Sequence, residues 1–210
     1  MSEMDCGWEW RCFYRTDTEG AFDLSKCKEY TVSGCPEERT DIYWRADDNF
    51  GIKERNCSTL EIKKCSQREQ GGFEKLHKTS LQGSTVESVA REIQKLGGNP
   101  ELILPVPVKL RIDKTRNWYR GGGGVMGARV EQTDLVCTHW VGEREVKSKW
   151  RSLCYEGLKS KTVGYVNKTL MPLLNSTIDM QSVMVCSYAT FVISVLTSDE
   201  GELLPVPDVG

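Results

Sequence analysis

Charge alternates with apolar residues at a period of two in one strand-like run after another. In FGIKERNCSTLEIKK (50–64), Lys53 and Arg55 interleave with Ile52 and Glu54, and Glu61 and Lys63 with Leu60 and Ile62. The turn-prone Asn56-Cys57-Ser58-Thr59 separates the two runs, as in a hairpin. Successive strand residues point to opposite faces, so each run gathers its charge on one face. The pattern recurs with Glu9 and Arg11 in WEWRCFYR, Glu74 in FEKLHK, and Lys114 and Arg116 in IDKTRNW. It continues with Arg129 and Glu131 in ARVEQTD and with Glu156 in CYEG. Such faces either meet water or, if the sheet curls shut, line a lumen. Burying so many cations would be prohibitive unless carboxylates and an anionic ligand neutralised them.

At 210 residues the chain is expected to form a single domain, 1–210. Its net charge of -2 argues against a surface that is nucleic-acid footprint throughout, though not against a local basic cluster. Nine cysteines are scattered with no CxxC, and there are only two histidines, His77 and His139, which excludes a zinc cluster of usual spacing. MSEMDCGWEW has neither a basic start nor an apolar run, so no signal peptide is expected. Reduced thiols and a cytoplasmic or nuclear setting follow as expectations. The longest apolar run, VMVCSYATFVISVL (183–196), is too short to span a bilayer and reads as a buried helix or strand.

Along the chain, WEWRCFYR (8–15) reads as a first strand, FDLSKCKEY (22–30) as a short helical segment, and TDIYWRA (40–46) as a strand before the hairpin. STVESVAREIQKLGG is the clearest helix: Ser84 or Thr85 caps it, Val86, Val89, Ile93 and Leu96 line one face, and Gly97-Gly98 ends it. Two strand-like runs flank Gly121–Gly124, a hairpin tip, and RSLCYEG is the last expected strand. Strands, a mid-chain helix, more strands and terminal helices give an α+β fold with a largely antiparallel sheet.

The order of these motifs resembles the CYTH superfamily, the triphosphate tunnel metalloenzymes. WEWR is similar to the second half of the family's ExExK strand, and TDIYWRADDNFGIKERN to its D-x-Y-F-D-T and L-R-x-R segments. LEIKKC, FEKLHK, IDKTRNWY and ARVEQTD resemble the strands that follow, and CSYATFVISVL the terminal S-Y-x-x-L-L helix. The resemblance implies an eight-stranded antiparallel β tunnel with flanking helices that grips a triphosphate-bearing small molecule or polyphosphate. It implies phosphate binding by Arg11, Lys53, Arg55, Lys63, Lys114, Arg116 and Arg129. It further implies Mg2+ or Mn2+ on Glu9, Glu131 and Glu156, catalysis through Glu131 and Glu9, and an orienting role for Glu74. Two positions depart from the family: Gly7 replaces the first Glu of ExExK, and Cys154 stands where a carboxylate is expected.

Three expectations stay open. A metal-dependent triphosphatase would release phosphate, and a non-catalytic phosphate-ligand binder would be stabilised without turnover. A module for RNA 5′ ends would bind RNA through its 5′-triphosphate. None involves a membrane. Cys12, Cys65 and Cys154 lack a patterned histidine partner and read as small buried hydrophobes rather than nucleophiles.

Overall fold

The computed structural model describes residues 6–16, 21–44, 46–55, 59–82, 85–103, 109–121, 129–157 and 163–198. In chain order the strands are β1 (Cys6–Arg15), β2 (Tyr30–Val32), β3 (Glu37–Trp44), β4 (Phe50–Arg55) and β5 (Thr59–Glu69). They continue with β6 (Phe73–Gln82), β7 (Lys109–Gly121), β8 (Arg129–Val141), β9 (Arg144–Gly157) and β10 (Met184–Val185). Helices α1 (Val86–Lys95) and α2 (Pro100–Ile103) follow β6, while α3 (Met171–Asn175) and α4 (Tyr188–Thr197) come after β9.

Eight strands close into an antiparallel barrel in the order β1-β6-β5-β4-β3-β7-β8-β9, with β9 returning to pair with β1 from Trp8↔Gly157 to Arg15↔Trp150. Closure leaves none of these eight strands with an open edge. β2 adds to β7, and β10 takes over beside β1 at Cys12–Phe13, just past the stretch that pairs with β6. The expected α+β antiparallel tunnel is therefore present. RSLCYEG belongs to the long β9 and is not the last strand, because β10 follows it. The segment expected to be helical at 22–30 holds only a 3₁₀ turn, Leu24–Lys26, before β2 begins at Tyr30.

Three apolar clusters hold the barrel. The outward residues Trp8, Trp10, Cys12 and Tyr14 of β1, with neighbours on β8 and β9, pack under the helical stretch that carries Tyr165, Leu170 and Leu174. On the opposite outer face, Phe50, Ile52, Leu60 and Ile62 of the β4–β5 hairpin bury Val89 and Ile93 of α1. Thr85 caps α1 by accepting from the Ser88 N–H, and Lys64 donates to the Leu96 carbonyl at the other end. Val86, expected on the buried face, is instead exposed, since the inward stripe starts one turn later at Val89. Gly97 takes the left-handed φ of +78° that ends the helix, and a Cβ on Gly98 would lie 2.6 Å from the Phe50 ring.

The third cluster lies inside the barrel. Phe13, Tyr43, Leu110, Ile112, Leu135, Cys137 and Trp150 share the lumen-facing parity, and Phe191, Val192, Val195 and Leu196 of α4 fill the space between them. Phe191 stacks on Phe13 with centroids 4.0 Å apart and meets Trp150 edge-on. One end of the lumen is thus plugged with apolar side chains. The charged face identified from the sequence lines the other half.

Candidate functional site

The charges of the period-two runs converge on a cavity of about 260 Å³. Arg11, Lys53, Arg55, Lys63 and Arg116 all line it, as do Glu9, Glu131, Glu156 and Glu74. Arg39 and Lys78 join them, making seven cations against six carboxylates once Glu61 and Asp48 are included. The near balance explains how so much charge is buried: Glu9, Glu131 and Glu61 are each shared among two or more cations. The expected Arg129 begins β8 opposite Arg120, but its side chain lies outside the described residues. Gly122–Gly124 of the expected hairpin tip and the turn residues 56–58 lie outside them too.

Two ion-pair networks face each other. On the β1–β8–β9 side, the Arg11 guanidinium spans two carboxylates, donating from Nε to Glu9 at 2.9 Å and from Nη1 to Glu131 at 3.0 Å. Lys63 Nζ donates to the other Glu9 oxygen at 2.9 Å, while Arg116 and the Thr133 hydroxyl donate to Glu131. On the β3–β4–β5 side, Glu61 receives Lys53 at 3.0 Å, Arg55 at 3.2 Å and Lys78 at 3.0 Å. Asp41, fully buried, sits among Lys114 at 2.9 Å, Arg39 at 3.3 Å and Lys53 at 3.6 Å.

Strand register creates these pairs. Lys53 stands directly opposite Glu61, and Glu37 opposite Arg116. In β1, Glu9 has a glutamate on either side, Glu74 across β6 and Glu156 across β9. Like charges directly opposite repel, and Arg11, Lys63 and Arg68 offset that repulsion. Arg68 reaches Glu74 because a bulge between Cys65 and Gln67 resets the β5–β6 register. Glu74 is therefore paired with Arg68, which does not line the chamber.

Burial would raise the Glu9 carboxyl, but Lys63 and Arg11 outweigh it and hold Glu9 well below the usual carboxylate range. Burial is likewise overcome at Glu131 by Arg11 and Arg116. Glu156 moves the other way: partial desolvation and the neighbouring Glu9 charge both push it up. Desolvation draws Lys53 down to about 8 despite Glu61 and Asp41.

Lys114 is placed differently from the other expected cations. Its Nζ donates to the Tyr43 hydroxyl at 2.7 Å and lies 4.1 Å from the centre of the Tyr188 ring, beneath the cavity floor and outside its lining. Arg11 approaches the same ring at 4.6 Å. Tyr188 thus divides the plug from the charged chamber, and with Ser187 and Ala189 it brings the start of α4 to the cavity.

Glu9 and Glu156 come together with Cys154, their ligand atoms all within 4.8 Å of one another. Glu131 lies across Arg11 and is not in this group. Two carboxylates suit Mg2+ or Mn2+, which complete their shells with water and phosphate oxygens; the thiol adds no oxygen donor.

Sequence reasoning did not assign Arg39, Asp41, Lys78 or Tyr188 to the site. Arg39-Asp41-Tyr43 and Glu74-Leu76-Lys78 carry the same period-two signal that found the others. Tyr188 is the Tyr of the S-Y-x-x-L-L resemblance, which carries no charge signal; its place at the chamber comes from the docking of α4. No protein-family model matches the chain, and no curated protein matches it either. No helix among the described residues is long and apolar enough to cross a membrane.

Proposed function

We propose that the barrel grips a triphosphate or polyphosphate group in its charged chamber and hydrolyses it with Mg2+ or Mn2+. The observation that carries this reading is the convergence of cations from β1, β3, β4, β5, β6 and β7 on one enclosed space. A sheet that only needed solubility would turn them outward.

An entering phosphate chain exchanges into the existing ion pairs. Its oxygens take charge-assisted hydrogen bonds from Arg11, Lys53, Arg55, Lys63 and Arg116. Glu9, relieved of Arg11 and Lys63, and Glu156 beside it are the carboxylates that would hold the metal. When bound, the metal supplies charge neutralisation and an activated water. Before a ligand enters, Arg11 spans Glu9 and Glu131 and holds its guanidinium at the chamber wall. Burial and the neighbouring Glu9 charge hold the Glu156 carboxyl above its ordinary range.

A second reading is favoured by Cys154, which occupies the metal side of the chamber with a thiol: a non-catalytic binder of phosphorylated ligands. An RNA 5′-triphosphate would use the same cations. Thermal unfolding with tripolyphosphate, and phosphate release with and without Mn2+, separate these. A ligand at a hundred times its Kd adds about 2.7 kcal/mol of stability. Metal-dependent release supports the triphosphatase. Stabilisation without release supports the binder. Absence of both ends the triphosphate reading, and preferential binding of 5′-triphosphorylated over dephosphorylated RNA would favour the RNA module.

A further inference from the structure

Four of the described cysteines are buried, and three of them pack in apolar clusters: Cys12 in the outer core, Cys137 and Cys186 in the plug. Cys154 is 1% exposed yet belongs to none of the three clusters. It stands on the charged face of β9, directly opposite Arg11 and two residues before Glu156. Its Sγ donates weakly to Glu156 Oε1 at 4.0 Å, and among the described residues it has no other hydrogen bond. A thiol that only filled space would face apolar neighbours; this one faces two carboxylates.

The three side chains make a compact set of donors. Glu9 and Glu156 are cross-strand partners and Cys154 follows on the same face, so one ligand atom from each falls within 4.8 Å of the others. In a tetrahedral zinc site, sulfur at about 2.3 Å and oxygen at about 2.0–2.2 Å from the ion stand roughly 3.5 Å apart. Side-chain rotation closes the difference without moving a strand. Glu9 and Glu156 line the cavity and Cys154 does not, so an entering ion meets the oxygens first and the sulfur behind them. Thiolate is a soft donor that Mg2+ and Mn2+ make little use of, whereas Zn2+ takes sulfur and carboxylate oxygen together. The Arg11 charge, across the strand pair, offsets the third anionic donor.

We infer that Cys154 is a metal ligand, and that with Glu9 and Glu156 it selects a thiophilic divalent ion, Zn2+ foremost, over Mg2+ or Mn2+. The carboxylates alone would serve either kind of ion; the sulfur sets the preference. Burial pushes the Cys154 thiol well above its ordinary value, so the ion displaces its proton, which leaves to solvent as the sulfur–metal bond forms. The inference needs no phosphate ligand and is tested separately from the triphosphate reading.

Phosphate-free titrations of the full, reduced chain with Co2+, Zn2+ and Mn2+ test it. Co2+ should produce a near-ultraviolet thiolate-to-metal charge-transfer band that Zn2+ then abolishes by displacement. Cys154→Ser should lose the band and bind Zn2+ at least about 10- to 100-fold more weakly, the cost already seen for removing outer-shell partners of a metal, with Mn2+ affinity nearly unchanged. Cys154→Asp, which supplies oxygen in place of sulfur, should also lose the band and shift the preference toward Mn2+. A Cys154→Ser or Cys154→Asp protein that keeps both the band and the wild-type Zn2+ affinity overturns the inference, because another cysteine then holds the ion. Failure of the wild type to bind Zn2+ overturns it as well. In either case tripolyphosphate binding, measured without metal, still decides the phosphate chamber on its own.

Discussion

At Lys53, burial and charge pull in opposite directions: desolvation disfavours the ammonium, Glu61 and Asp41 favour it, and the balance leaves it titrating at about 8. A cation that loses its proton there stops attracting phosphate above that pH. Tripolyphosphate affinity is therefore expected to gain a downward component as pH rises through about 8. Lys53→Arg should remove that component, because a guanidinium stays charged. Titrations of both proteins between pH 7 and 9.5 compare them with the ligand's own ionisation held in common, and parallel profiles would exclude Lys53 from the clamp. Lys114 and Arg116 divide fold from binding. Arg116→Ala removes a charge-assisted contact at the chamber wall and should weaken tripolyphosphate by about 1.5–3 kcal/mol. Lys114→Met strips a buried partner from Asp41 and should cost about 3 kcal/mol or more of stability in urea unfolding.

At the scale of elements, α4 is the piece that turns a barrel into a cup. Ser187 caps its start by accepting from the Thr190 N–H, and the Cys186 N–H donates to the Arg11 carbonyl, tying the helix to β1. Its apolar face then enters the lumen and places Tyr188 over Lys114. Phe191→Ala should destabilise the protein by about 3–5 kcal/mol, since Phe191 is fully buried between Phe13 and Trp150. The urea midpoint measures this. A loss below about 1 kcal/mol would show that the plug contributes little to holding the barrel.

Across the whole molecule, the ion-pair networks join strands that are far apart in sequence, so they act as a pH-sensitive seam. Asp41 and Glu61 would be raised by burial, but their lysine neighbours draw both down to about 2, against ordinary values of 3.8 and 4.5. A carboxylate with a depressed folded pKa stabilises the fold above its unfolded pKa and loses that contribution as pH falls toward the folded one. Stability should accordingly hold at neutral pH and decline between about pH 4.5 and 2. Glu61→Gln should be less stable at pH 7 and show a shallower decline. Urea midpoints that do not change over this interval would contradict the networks as drawn.

Alternation in β1, β4, β5, β7 and β8 made the charged face legible from the sequence, because strand geometry sends every second side chain the same way whatever the fold. The capped helix α1 was legible for a similar local reason, with Thr85 before it and Gly97 after it. Val86 was misplaced because a run of apolar residues does not say which turn first meets the sheet. Whether the charged face looked inward was decided by closure of β9 onto β1, a pairing between residues more than a hundred positions apart. The same closure put Cys154 beside Glu9 and Glu156, separated Glu131 from them by Arg11, and sank Lys114 below Tyr188. Local chemistry specifies which way a side chain leaves its own strand; which charges become neighbours depends on register between distant strands, and that belongs to the folded molecule alone.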